Sequence, residues 1–232
     1  MLTSCKDDFE GVPIDKDEKY KLEIQAGLPA LTFDSKEYPL TVNGIALGKK
    51  LFYEGKLSRN NTISCGFCHI QENAFTHHGH TVSHGIDNRM GIRNAQPIQN
   101  MAFLKNYTWD GVSHHLDERS LVPITTDFEM DSSIPEVIGK LSSDDNYKKM
   151  FKAAFGDEDI TGDRILNALT QFMRTMISAN SKYDQVKKGM TTFTDSEYSG
   201  KILFENKCAS CHSGELFTDE SYRNTGMYYN PQ

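Results

Sequence analysis

The chain has 232 residues, 38% of them hydrophobic and 25% charged, which is enough for one large domain or two small ones. A formal net charge of −7 argues against nucleic acid as a partner. A mean hydropathy of −0.55, with no apolar run long enough to span a bilayer, argues against a transmembrane protein.

Residues 1–39 are polar, carry Pro13, Pro29 and Pro39 and show no sustained periodicity, which predicts a tether followed by an extended wrap. Within it, Leu2-Thr3-Ser4-Cys5-Lys6-Asp7-Asp8 resembles a bacterial lipobox with an acidic start, lacking the charged and apolar regions that should precede it. A stray cysteine in a polar amino terminus is the equal alternative. Around Thr41-Val42-Asn43 a cap is predicted for a helix carrying Ile45, Leu47, Leu51 and Phe52. Gly48 on that helix either permits close approach of another backbone or is simply tolerated.

Next comes Cys65-Gly66-Phe67-Cys68-His69, which returns as Cys208-Ala209-Ser210-Cys211-His212. Cys-x-x-Cys-His is the attachment signal for haem c. Two thiols three positions apart reach neighbouring vinyl groups, and the following histidine turns its ring under the iron. Two complete copies point to two covalent haems, with zinc or a disulfide as alternatives. Zinc ribbons place their cysteine pairs roughly 15–20 residues apart, whereas Cys208 lies 143 positions after Cys65 and each pair has its own histidine. A thioredoxin-like pair needs a βαβ setting that neither motif has. Bacterial haem ligation occurs outside the cytoplasm, so the periplasm is the expected compartment. The acidic balance, increased by haem propionates, suits a basic redox partner, although a solvated acidic surface is its ordinary meaning.

The surroundings of the motifs also repeat. Gly48-Lys49-Lys50-Leu51-Phe52 precedes the first and Gly200-Lys201-Ile202-Leu203-Phe204 the second; Ala74-Phe75-Thr76 and Leu216-Phe217-Thr218 follow. The predicted fold class is therefore mainly α, with two cytochrome-c-like haem domains in tandem. Their expected extents are residues 40–180 and 181–232. Between the motifs, helices are predicted from Ile134, over Tyr147 to Phe155, and from Thr161 onward. In the last, Ile165, Leu166, Leu169, Phe172, Met173, Met176 and Ile177 fall at helical spacing, and the methionines are assigned to the core. Ser181 to Asp195 reads as a polar link.

Residues 46–130 and 165–226 resemble the bacterial di-haem cytochrome c peroxidase family, MauG-type enzymes included. The resemblance rests on Ala46-Leu47-Gly48…Leu51-Phe52, Leu57-Ser58…Ile63-Ser64-Cys65, Arg93-Asn94, Trp109-Asp110-Gly111, Pro123…Glu129-Met130 and Cys208 to Thr218. It implies a peroxide-reducing haem on His69 and an electron-accepting haem on His212. It also implies that Trp109 bridges the haems and that Glu129 is the distal acid moving peroxide's proton. Asn94 matches a ligand of a calcium ion between the domains. The residue-level alternatives are a core tryptophan, a solvated glutamate and turn chemistry after Arg93.

Three departures from the family pattern carry consequences. Where some relatives place a distal histidine in a Ser-x-Gly-His context, this chain reads Ser83-His84-Gly85-Ile86. Isoleucine cannot ligate iron, which predicts an open peroxide site unless His84 reaches it by a loop shift. His77, His78 and His80 are read as a solvated loop. Arg119 stands where relatives often carry glutamine, and either steadies developing negative charge or pairs elsewhere. The family also continues past the second motif to supply that iron's distal ligand, so the chain reads as ending within its second domain, with Met227 and Tyr228 as packing residues.

The resulting expectation is hydrogen peroxide reduction with electrons from a small periplasmic cytochrome c or copper protein. A homodimer and a lipid anchor through Cys5 are further expectations. The competing readings are MauG-like oxidation of a protein, a two-haem electron carrier and a peroxide sensor.

Overall fold

The computed structural model describes residues 18–226 except Ala26 and Thr225. Cys5, Met227 and Tyr228 lie outside the described residues. Within them the protein is helical, with isolated β-bridges and no strands.

Helix α1 (Val42–Phe52) starts where Thr41 accepts a hydrogen bond from the Gly44 N–H at 3.1 Å. Helix α2 (Cys65–Cys68) is the single turn formed by the first motif. Helix α3 (Leu116–Thr125) follows a long looped region, and α4 (Ile134–Ser142) opens with a Ser133–Glu136 capping box. Helices α5 (Asp145–Phe155) and α6 (Gly162–Arg174) complete the first unit. Helix α7 (Lys182–Lys187) and helix α8 (Asp195–Lys207) then lead to the second motif.

The core forms where α1 crosses α6. A Cβ on Gly48 would stand 1.9 Å from the Ala168 carbonyl oxygen, and one on Gly44 2.3 Å from the Gln171 side chain. The close-approach reading of Gly48 is therefore the right one: Gly48 lets the two helices meet backbone to backbone, and Gly44 makes room for the Gln171 side chain. Leu47, Leu51, Phe52, Ile165, Ala168 and Leu169 are buried at the crossing. Asn43 ties α1 to α5 by donating to the Ala153 carbonyl at 3.1 Å.

The polar segment before α1 touches this unit at several points through bends and turns. Lys19 bridges to Thr41, and Thr32 N–H donates to the Ala102 carbonyl at 3.0 Å. Arg174 is buried at the end of α6, its guanidinium 3.9 Å from the Phe33 ring centre and 5.6 Å from that of Tyr38. Those cation–π contacts compensate a charge withdrawn from water.

A candidate haem pocket around the first motif

Around α2 the fold leaves a cavity of ≈440 Å³, within the usual range for cofactor sites. Its apolar wall comes from Phe52, Ile63, Ile98, Met101, Leu169 and Met173. Its polar lining includes His69, Asn94, Trp109, Arg119 and Glu129, residues from five separate stretches of sequence.

Cys65 and Cys68 sit one helical turn apart, and the His69 N–H donates to the Cys65 carbonyl at 2.9 Å. His69 Nδ1 lies 2.9 Å from the Phe75 carbonyl oxygen. A carbonyl can only accept, so Nδ1 carries the proton and Nε2 keeps the lone pair that a metal needs. Burial holds the His69 pKa below the ordinary imidazole value and so keeps the ring neutral, while the hydrogen bond to Phe75 opposes that shift. Burial also pushes the Cys65 thiol up to about 12, with Cys68 and Glu129 adding to it, and the Cys68 thiol up to about 11.

Two thiols and an oriented neutral imidazole at the edge of an apolar cavity fit a covalently attached haem. The zinc alternative does not: among the described residues, the four motif cysteines converge on no common cluster of metal ligands. No disulfide joins them.

The second motif repeats the geometry. His212 N–H donates to the Cys208 carbonyl at 2.9 Å, and His212 Nδ1 lies 3.1 Å from the Phe217 carbonyl. Phe75 and Phe217 both adopt left-handed backbone, with φ of 57° and 54°. The trailing aromatic noted in the sequence thus marks a turn whose main-chain carbonyl orients the histidine. The flank of this motif is open, with Cys208 exposed and Leu203 63% exposed.

Trp109 lines the cavity while 52% exposed, and its Nε1 donates to the Asn94 carbonyl at 3.0 Å. The segment after the second motif docks beside it. Glu220 accepts from the Lys105 N–H at 3.1 Å, and a Cβ on Gly111 would stand 2.5 Å from the Tyr222 ring. Asn94 donates through Nδ2 to the His80 carbonyl at 2.9 Å.

Glu129 is positioned mainly through its backbone. Its carbonyl accepts from the Ile86 N–H at 2.8 Å, and a Cβ on Gly85 would stand 2.3 Å from that carbonyl oxygen. Ion pairs clamp the same two loops: Asp131 takes Arg59 at 3.0 Å and Arg89 at 3.1 Å, while Arg59 also reaches Asp87 at 2.6 Å. The close approach at Gly85 and this clamp join partners distant in sequence, so in the sequence only the charges near Glu129 hint at them. Burial raises the Glu129 pKa, and the Arg119 charge opposes that rise.

Ile86 packs into the core and does not line the cavity. His84 does line it, but its ring lies against Phe67, His77 and His80, with centroids 5.5, 5.1 and 4.8 Å away. The solvated-loop reading of the histidines needs correction. His77 is buried, 7% exposed, and gathers with His80 and His84, whereas His78 is exposed and stands outside the group. Met173 and Met176 are buried, as the core assignment requires.

The sequence profile described as "Di-haem cytochrome c peroxidase" matches residues 42–192. The chain belongs to the di-haem cytochrome c peroxidase family. It is 32% identical over 194 residues to the methylamine utilization protein MauG of Methylophilus methylotrophus, covering 82% of this chain and 58% of that one. It is 33% identical over 185 residues to the cytochrome c551 peroxidase of Nitrosomonas europaea, covering 78% and 55%. Among solved structures, a MauG-like protein associated with microbial copper homeostasis superposes with a TM-score of 0.78 at 29% identity, covering 88% of this chain and 62% of that one. The chain thus spans little more than half the length of these curated relatives.

Proposed function

We propose that the chain forms the first haem module and the beginning of the second in a di-haem peroxidase that reduces hydrogen peroxide to water. The observation that carries this reading is the convergence of His69, Glu129 and Arg119 on one apolar cavity. In this proposal residues 40–180 form the peroxide-reducing module and 181–232 begin the electron-accepting one.

Cys65, Cys68 and His69 would hold one haem, and Cys208, Cys211 and His212 the other. Bound haem supplies the iron at which the O–O bond breaks and through which two electrons arrive. The overall balance is one peroxide, two electrons and two protons giving two waters. The Glu129 carboxylate takes the proton from one peroxide oxygen and returns it to the other, which departs as water. Burial favours that exchange, because a raised carboxyl pKa brings the acid closer to the operating pH. Arg119 places a fixed positive charge beside the negative charge developing on the departing oxygen. The apolar wall limits water around the reacting groups, and His69 is kept from rotating by the Phe75 carbonyl.

Trp109 lines the cavity, and Gly111, two residues on, meets Tyr222 of the segment that follows the second motif, which suits a bridge for electrons between the haems. A small cytochrome c or copper protein of the periplasm is the proposed donor, met by the acidic surface. Asn94 remains the proposed side-chain contact for a calcium ion between modules. Periplasmic location, a lipid anchor at Cys5 and a homodimer complete the reading; no helix of the described residues is long and apolar enough to cross a membrane.

The half-exposed indole of Trp109 also favours a second reading, MauG-like oxidation of a protein docked over that face. Steady-state peroxide consumption separates the two. Turnover with a reduced small cytochrome, lost in Glu129→Gln, supports the peroxidase. Turnover only with a protein substrate, lost in Trp109→Ala, supports the second.

A further inference from the structure

We infer that His77, His80 and His84 form a binding site for a divalent late transition metal, with zinc as the reference ion. Each histidine offers one ring nitrogen, and the three nitrogens lie within 4.8 Å of one another. The Nδ1 atoms of His77 and His84 are buried and have no hydrogen-bond partner. Buried polar atoms left unsatisfied are costly, and a cation ligated through them would remove that cost. Neutral imidazole suits zinc, copper and nickel, whereas calcium and magnesium prefer oxygen donors.

The loop framework places the ligands before any ion arrives. His77 directly follows Thr76, which bridges to Ile70, and His84 bridges to Met90. His80 is anchored through its carbonyl by Asn94. Gly79, with φ +78°, makes the turn that brings His80 back toward His77. Three nitrogens bonded to one zinc at ~2.0–2.1 Å stand ~3.3 Å apart, so the cluster must contract by somewhat more than 1 Å. His80 is exposed and supplies both that movement and a route from solvent. Phe67, between the first-motif cysteines, packs edge-on against His77 and His84, forming an apolar floor. Three histidines leave a fourth position for water, as in catalytic rather than purely structural zinc sites. Ligation would also hold the His84 ring within the cluster.

This inference stands independently of the peroxidase reading, because its test counts metal and not turnover. Chelator-treated holoprotein would be dialysed against buffered zinc, with zinc and iron counted by mass spectrometry. The expected result is one zinc per protein, weakened at least tenfold in His80→Asn and abolished in His77→Gln/His80→Asn. Unchanged haem absorbance and melting temperature would show that the variants fold. Zinc-edge X-ray absorption should then give three imidazole nitrogens at ~2.0–2.1 Å. No uptake at micromolar zinc, equal uptake by the variants, or a shell with two or fewer imidazoles would overturn the site.

Discussion

The two haem motifs share one local structure and, among the described residues, differ in what packs around them. Each closes a turn from histidine N–H to the first cysteine carbonyl at 2.9 Å, and each histidine is met by a phenylalanine carbonyl. Yet Leu51 on α1 is fully buried, while Leu203, its counterpart on α8, is 63% exposed. The motif therefore writes its own backbone, but a haem pocket requires elements far away in sequence. For the first motif these are α3, α6 and the 83–131 loops.

The largest effect should come from removing the attachment chemistry. Cys65→Ala/Cys68→Ala should lower covalent haem from two per protein to one in a pyridine haemochrome assay, with peroxide turnover lost. The same double change at Cys208 and Cys211 should also leave one haem, but preserve peroxide binding at the first. Finding peroxide binding at the second haem instead would reverse the assignment of the two modules.

Glu129→Gln should lower peroxide turnover by about 10²-fold or more, within the range ascribed to a positioned acid–base group. Wild-type activity should rise with pH through the raised Glu129 pKa, and that limb should vanish in the variant. The stability trend runs the other way. A carboxyl whose pKa is raised by folding binds more protons in the folded state, so stability falls as pH rises between the ordinary value of 4.5 and the raised one. Glu129→Gln should flatten that slope in urea titrations at several pH values, separating the catalytic loss from any loss of folding.

Packing supplies two paired comparisons of smaller size. Leu51→Ala should cost about 2–5 kcal/mol, while Leu203→Ala should stay within about 0.5 kcal/mol in this chain. Equal costs would mean that α8 is buried in solution. Gly48→Ala should cost ~1–3 kcal/mol, because its methyl group would press on the Ala168 carbonyl. Gly200→Ala, with nothing within 4 Å, should stabilise by ~0.5–1 kcal/mol. Both are read from thermal or chemical unfolding.

Much of this contrast was legible in the sequence, and the remainder has physical reasons for being hidden. Thr41 and Thr161 capped the helices where expected because a cap is a local hydrogen bond. The apolar stripe of the last long helix ran on through Met176 and Ile177, but α6 ends at Arg174. There Thr175 bonds the Phe172 carbonyl at 2.7 Å, and Asn100 captures the Met176 carbonyl at 2.7 Å and Ser178 N–H at 2.8 Å. That partner is distant in sequence, so periodicity could not announce it. Helix α7 reads as a link in the sequence because it is short and buries no side chain: the Ser181–Asp184 capping box starts it, and Tyr183 holds it against Phe193 and Phe217. The histidine cluster was hidden for a related reason: His84 joins it through loop folding, while His78, closer in sequence, does not.

The measurement that tests the central claim most directly is stopped-flow absorbance of fully oxidised holoprotein mixed with hydrogen peroxide, with Glu129→Gln run beside it. The account predicts a rapid Soret change in the wild type without prior reduction, with a second-order rate about 10²-fold lower in the variant. Equal rates would contradict the role of Glu129. Reaction only after one-electron reduction would mean that a side chain such as His84 closes the iron, and the open-site reading would fall.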